Sequence, residues 1–194
     1  MGRQARRSEL LSSHPAADLL LLLDHYASRR PEEVDAAGAF AAFARSGFDV
    51  FERTRVDGHF TASCWLVSGD GARVLLTHHR KLDRWLQLGG HADGDPDLAQ
   101  VALREAREES GLIDLVIVPE IFDIDAHLIP ARGTDPAHTH WDVRFVVRCT
   151  GAEDFVVSTE SLALAWVPIV ELLQDRSVDP SLRRMATKWE QQRR

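Results

Sequence analysis

Apolar residues first recur at helical spacing and then switch to alternation. Leu19, Leu20, Leu22, Leu23 and Tyr26 follow the period of a helix that opens at Pro15 and ends near Ser28. Pro31-Glu32-Glu33 opens a second helix, with Pro in the first turn and acidic residues at the positive helix end. It carries Ala37, Phe40, Ala41, Phe43 and Ala44 to a stop at Gly47. The residues before Pro15 are polar and predict a frayed end. Together these features predict an N-terminal helical extension over residues 1–50, packed as a hairpin on a main domain of residues 51–194. The apolar stripes of the two helices read as core.

Beyond Phe48 the pattern is that of strands. Phe60–Val67 and Arg73–His79 flank Ser68-Gly69-Asp70-Gly71, which predicts a β-hairpin. Trp85–Leu88 leads to Gly89-Gly90, and a helix follows. Leu115–Val118 and Ile121–Asp125 read as two strands broken by Pro119. After a loop with Pro130, Gly133 and Pro136 come a strand over His140–Arg148, a short one over Leu164–Val167, a helix from Pro168 and a closing polar helix over Pro180–Gln192. Strands interleaved with helices predict a mixed α/β class.

The helix after Gly90 carries the densest chemistry. Asp95 is a suitable N-cap with Pro96 at the first helical position, and Gly111 is the stop. Glu105, Glu108 and Glu109 stand at i, i+3 and i+4, so three carboxylates crowd one face. A solvated face laced by pairs such as Arg104 with Glu108 is the plain alternative. Like charges so placed repel, and a hard divalent cation such as Mg²⁺ or Mn²⁺ relieves them.

The stretch Leu88–Leu112, LGGHADGDPDLAQVALREAREESGL, resembles the signature of the Nudix hydrolase family, GX5EX7REUXEEXGU with U a bulky apolar residue. Gly90, Arg104, Glu105, Glu108, Glu109, Gly111 and Leu112 fall in register. Ala106 takes the first apolar slot, and Pro96 stands where the signature has its first Glu, leaving Asp93, Asp95 or Asp97 to supply that charge. The resemblance implies the Nudix fold, a mixed sheet sandwiched between helices, over about Phe51–Leu173. It also implies a Mg²⁺-dependent pyrophosphohydrolase acting on a nucleoside diphosphate derivative or a related organic diphosphate. By position, Glu105, Glu108 and Glu109 would hold the metal with the Gly90 carbonyl, Arg104 would orient the carboxylates, and Glu105 is a candidate base.

The formal net charge of −7 argues against broad binding to nucleic acid or an anionic membrane. A small-molecule diphosphate is the expected partner, and a homodimer is compatible with it. Cys64 and Cys149 lie in apolar runs as small buried residues, with no CxxC pair. The basic start is followed by an apolar run of only Leu19–Leu23, too short for a signal or a span, so a cytoplasmic location is expected.

Two further groups are candidates for substrate. Arg80, Lys81 and Arg84, just upstream of the signature, are placed to reach phosphates, unless they are simply solvated. On an extended 138–148 segment, His138, His140, Asp142 and Arg144 share one face, with Trp141, Val143, Phe145 and Val147 on the other. With His91, that row suits phosphate or a second metal such as Zn²⁺ or Mn²⁺; ordinary surface histidines are the alternative. Two other function classes stay open. An isomerase resembling isopentenyl diphosphate isomerase is supported by His91 and the HxH pair, but opposed by the intact REAREESG and the lack of a cysteine near it. A non-catalytic nucleotide-binding module is supported only by Pro96.

Overall fold

The computed structural model describes residues 14–80, 82–133, 136–158 and 161–193. The polar start, Met1–Ser13, and Lys81 of the basic loop lie outside them. Helix α1 (Ala17–Arg29) and a single 3-10 turn, Pro31–Glu33, lead into α2 (Val34–Ala44). Strands β1 (Gly58–Val67), β2 (Arg73–His79), β3 (Arg84–Leu86) and β4 (Leu88–His91) precede α3 (Leu98–Ser110). Then come β5 (Leu115–Ile129), β6 (His138–Cys149), β7 (Ser161–Pro168), α4 (Ile169–Gln174) and α5 (Pro180–Gln192). The strands form one mixed sheet in the order β3-β2-β1-β6-β5, with β4 on β1 and β7 on β2.

Helices cover both faces, so every residue of the central strand β1 is buried. Its Phe60, Ala62, Cys64 and Leu66 join α1, α2 and α3 in one apolar cluster. Trp65 and Val67, of opposite parity, join α4 and α5 in a second. The apolar stripes of α1 and α2 do enter the core: Leu19, Leu23, Tyr26, Ala37, Phe40 and Ala44 are buried. Phe43 stacks on Trp141 at 4.7 Å and Phe40 meets it edge-on at 5.0 Å. Cys64 and Cys149 are buried and free. No helix among the described residues is long and apolar enough to cross a membrane.

Two local expectations are corrected. The hairpin around Gly69 exists only at its mouth, where Val67 pairs with Val74. From there β1 turns to pair with β4 and β6, and β2 pairs with β7 and β3. Pro119 does not break the chain into two strands either. β5 runs unbroken through it, with register shifts between Ile117 and Ile121 and again between Ile121 and Asp123. β5 is an edge strand, where a missing N–H costs no ladder bond.

β5 also carries a buried charge network. Asp123 of β5 has no exposed surface and accepts bonds from Arg144 (3.1 Å), Arg184 (2.8 and 3.0 Å) and Lys188 (2.6 Å). Lys188 of α5 also reaches Glu33 at 2.6 Å and the Tyr26 hydroxyl at 2.7 Å, and that hydroxyl donates to Glu33. Burial alone would raise the Asp123 carboxyl. The Arg184 hydrogen bond and the charges of Arg144 and Lys188 outweigh it and hold the group below the usual carboxylate range.

Candidate functional site

Helix α3 is set by its two ends. Gly111 takes the left-handed conformation (φ 72°) and donates its N–H to Arg107 O at 2.8 Å, which ends the helix. At the other end the N-cap is Asp97, not Asp95: its carboxylate accepts the Gln100 N–H at 3.1 Å. Asp95 in turn accepts the Asp97 N–H at 3.0 Å, so Pro96 stands before the cap rather than at the first helical position. The buried stripe Leu98, Val101, Ala102 and Ala106 packs under the sheet. This turns Glu105 and Glu109, both half-buried, and the exposed Glu108 towards the β4 side.

Here the carboxylates and the β4 backbone close on each other. Glu109 Oε1 accepts the Gly89 N–H at 2.8 Å. A Cβ on Gly90 would stand 2.5 Å from Glu105 Oε2, so a larger residue here would push that carboxylate away from the β4 backbone. Arg104 donates to Glu105 Oε1 at 3.3 Å and to the His91 carbonyl at 3.4 Å. Its other terminal nitrogen lies 3.9 Å from Asp95 Oδ2. Of the three acids able to replace the carboxylate missing at Pro96, Asp97 caps the helix. Asp93 is clamped by Arg53 through two 2.5 Å bonds, whose hydrogen bonding holds its carboxyl below the ordinary range. Asp95 is left facing Arg104. Glu105 and Glu109 close on the Gly89–Gly90 backbone with Glu108 one turn away on the same helix, and carboxylate oxygens of this kind suit a hard divalent cation.

Glu105, Glu108, Gly90 and Arg104 border a cleft of about 670 Å³ that also takes in Arg53, His91, His140 and Asp142. The basic loop is not brought to it in the way expected. Arg84 borders a separate depression of about 490 Å³, 3.9 Å from Asp179, and Arg80 donates to the Ser161 carbonyl at 3.1 Å. The guanidiniums that line the carboxylate cleft are Arg53 and Arg104.

The row on β6 keeps its parity but splits by depth. His138 and His140 are half-buried, with their Nε2 atoms 3.2 Å apart. Asp142 and Arg144 are buried at 2% and 3% exposure. Arg144 Nε binds Asp142 at 2.7 Å, and its terminal nitrogen binds Asp123. Asp142 also accepts from Thr61 at 3.0 Å and Ser63 at 2.8 Å. Arg144 is therefore not available to substrate as its parity suggested. Helix α5 lies over that half of the face, with Met185 Sδ 3.9 Å from the guanidinium.

The open half holds a histidine that the spacing argument missed. His59 of β1 pairs in register with His140 of β6, which pairs with His127 of β5, and Thr61 pairs with His91 of β4. Rings of His59 and His140 lie 4.8 Å apart, His59 and His91 5.1 Å, and His59 and His138 5.2 Å. Burial, followed by the neighbouring His91 and His138, pushes His59 down to about 4. Burial and His59 push His140 down to about 3. The alternation His59, Thr61, Ser63 against Phe60, Ala62, Cys64 was a visible signal for it.

A family profile described as NUDIX domain matches residues 58–188. No curated protein matches this chain. A NUDIX-family hydrolase from Clostridium perfringens is similar at 26% identity and TM-score 0.53, over 70% of this chain and 98% of that one. A C. elegans Ap4A hydrolase binary complex is similar at 18% identity and TM-score 0.54, over 68% and 95% of the two chains. The E. coli dihydroneopterin triphosphate pyrophosphohydrolase matches at 19% and 0.53, over 69% and 97%. The last two likenesses concern the fold alone.

Proposed function

Because the chain belongs to the Nudix hydrolase family, we propose that it is a Mg²⁺- or Mn²⁺-dependent pyrophosphohydrolase acting on a nucleoside diphosphate derivative or a related organic diphosphate. One observation carries this reading: Glu105 and Glu108 of α3 and two guanidiniums, Arg53 and Arg104, border the same cleft, with Glu109 beside them on the Gly89 N–H. Glu105, Glu108 and Glu109, with the Gly90 main chain, would hold the cation. When bound, it neutralises phosphate oxygens and lowers the pKa of water. Arg104, braced by Asp95 and the His91 carbonyl, fixes the Glu105 carboxylate. Arg53, held by Asp93, also lines the cleft and offers positive charge to a phosphate. Glu105 accepts the proton of the attacking water as the water oxygen bonds to phosphorus and the bridging P–O bond breaks. Neither cysteine lines the cleft, and burial drives the Cys64 thiol well up, so the isomerase alternative lacks its acid–base group there.

A Mg²⁺-dependent screen of nucleotide, sugar and coenzyme diphosphates with coupled phosphate detection tests the reading. Release of phosphate or a monophosphate from at least one compound is the expected result, and product that keeps its diphosphate would overturn it.

The departure at Pro96 gives a sharper check. Asp95→Asn removes the charge that braces Arg104 and is expected to lower kcat by roughly tenfold, ~1.4 kcal/mol, with little effect on KM. Pro96→Glu adds a carboxylate where Asp95 already serves and is expected to change kcat by less than about threefold. A large gain from Pro96→Glu with no loss from Asp95→Asn would show that Asp95 does not fill the role.

A further inference from the structure

We propose that His59, His91 and His140 form a second cation site in this cleft, suited to a borderline transition ion of the Zn²⁺, Co²⁺ or Ni²⁺ class rather than to Mg²⁺. One ring nitrogen from each of the three lies within 4.8 Å of the other two. Three atoms so spaced share a point within about 2.8 Å of each, and a zinc–imidazole bond of ~2.0–2.1 Å needs only a further inward movement of under an ångström. His138, whose Nε2 is 3.2 Å from that of His140, flanks the group from outside it.

Paired strands position these rings. His59 and His140 are register partners on adjacent parallel strands, and His91 follows Gly90 on β4, paired with Thr61 two residues beyond His59. Sites on paired strands keep their ligands better placed than sites on loops.

His59 is the decisive residue. It is 2% exposed, and neither ring nitrogen has a partner at hydrogen-bonding distance and angle. The nearby Arg55 main chain raises its proton affinity but lies outside hydrogen-bonding distance and angle. Burying an imidazole with both nitrogens unsatisfied is costly, and a ligand to one of them recovers that cost. A phosphate is the competing occupant. It would need protonated imidazoles, and charges on rings 4.8–5.2 Å apart oppose one another. Neutral imidazole nitrogens favour Zn²⁺, Co²⁺, Ni²⁺ or Cu²⁺, whereas Mg²⁺ prefers the oxygen set on α3. His91 and His140 border the same cleft as Glu105 and Glu108, so the two cations would flank one substrate space.

The test needs no substrate, so its outcome is separate from that of the hydrolase reading. The full chain, stripped by chelator, is titrated with Co²⁺ and with Zn²⁺ in excess Mg²⁺. Metal content, the visible Co²⁺ spectrum and thermal melting are followed together. One equivalent that Mg²⁺ does not displace, with an ion-dependent rise in Tm, is expected. His91→Ala is expected to weaken that equivalent by at least about 100-fold, and Glu109→Gln to leave it in place. His59→Leu is expected to abolish it while melting, metal-free, no lower than the wild type, because leucine fills the site without orphaned nitrogens. A purely structural His59 would give the reverse, a lower metal-free Tm. If the wild type binds no Mg²⁺-resistant equivalent, or if His91→Ala binds it as tightly as the wild type, the site is refuted.

Discussion

Glu109→Gln is expected to fold as the wild type does and to lose about a thousandfold in kcat, ~4 kcal/mol of transition-state stabilisation. The amide oxygen of glutamine can still accept the Gly89 N–H that Glu109 now holds at 2.8 Å, so the β4–α3 junction persists. What is lost is one negative charge from the cluster of three proposed to hold a divalent cation. Without Mg²⁺ the variant should melt at the same temperature or higher, since a repelling i, i+4 pair with Glu105 is removed. With Mg²⁺ it should gain less than the wild type. Circular dichroism, melting with and without Mg²⁺, and kinetics on the substrate found by screening check all three. Normal turnover in a folded Glu109→Gln protein would sink the assignment of this face to the metal.

Asp123→Asn is expected to cost ~3–5 kcal/mol of folding stability, among the larger losses a single substitution produces. Arg144 and Lys188 are buried beside it at 3% and 4% exposure, and the change leaves them with less opposing charge in a place water does not reach. Asp142 and Asp125 still face Arg144, and Glu33 still faces Lys188, which keeps the loss within that range. The acid dependence follows from the same network. The folded protein holds the Asp123 and Asp125 carboxyls below their unfolded value. Burial opposes this at both, while Arg184, His127 and Arg144 outweigh it. As pH falls below about 4 the unfolded chain takes up these protons first, so this stability is present above that pH and is lost below it. Urea denaturation at neutral and at acid pH is expected to show a steep acid loss in the wild type and a flatter one in Asp123→Asn. Equal slopes would mean that other carboxylates govern acid unfolding.

By itself the sequence determined the α/β class, the family and the helix that carries the carboxylates. Their face depends on spacing within one helix, and Gly90, Arg104, Glu105, Glu108 and Glu109 lie within twenty residues of one another. The apolar stripes of α1 and α2 were legible for the same local reason. The tertiary structure alone decided what each polar row meets. Alternation put His138, His140, Asp142 and Arg144 on one face, but only the position of α5 divides that face into an open half and a buried ion pair. Likewise His59 and His140 stand eighty-one positions apart and become neighbours only through the parallel register of β1 and β6. Arg53 and Arg104 reach the cleft while Arg84 faces another depression, although Arg84 is nearer to the signature in the chain than Arg53. Periodicity reports which side of an element a residue occupies. It carries no information about which distant strand lies beside that element or which helix covers it, because those choices follow from burying the apolar faces of the whole chain at once.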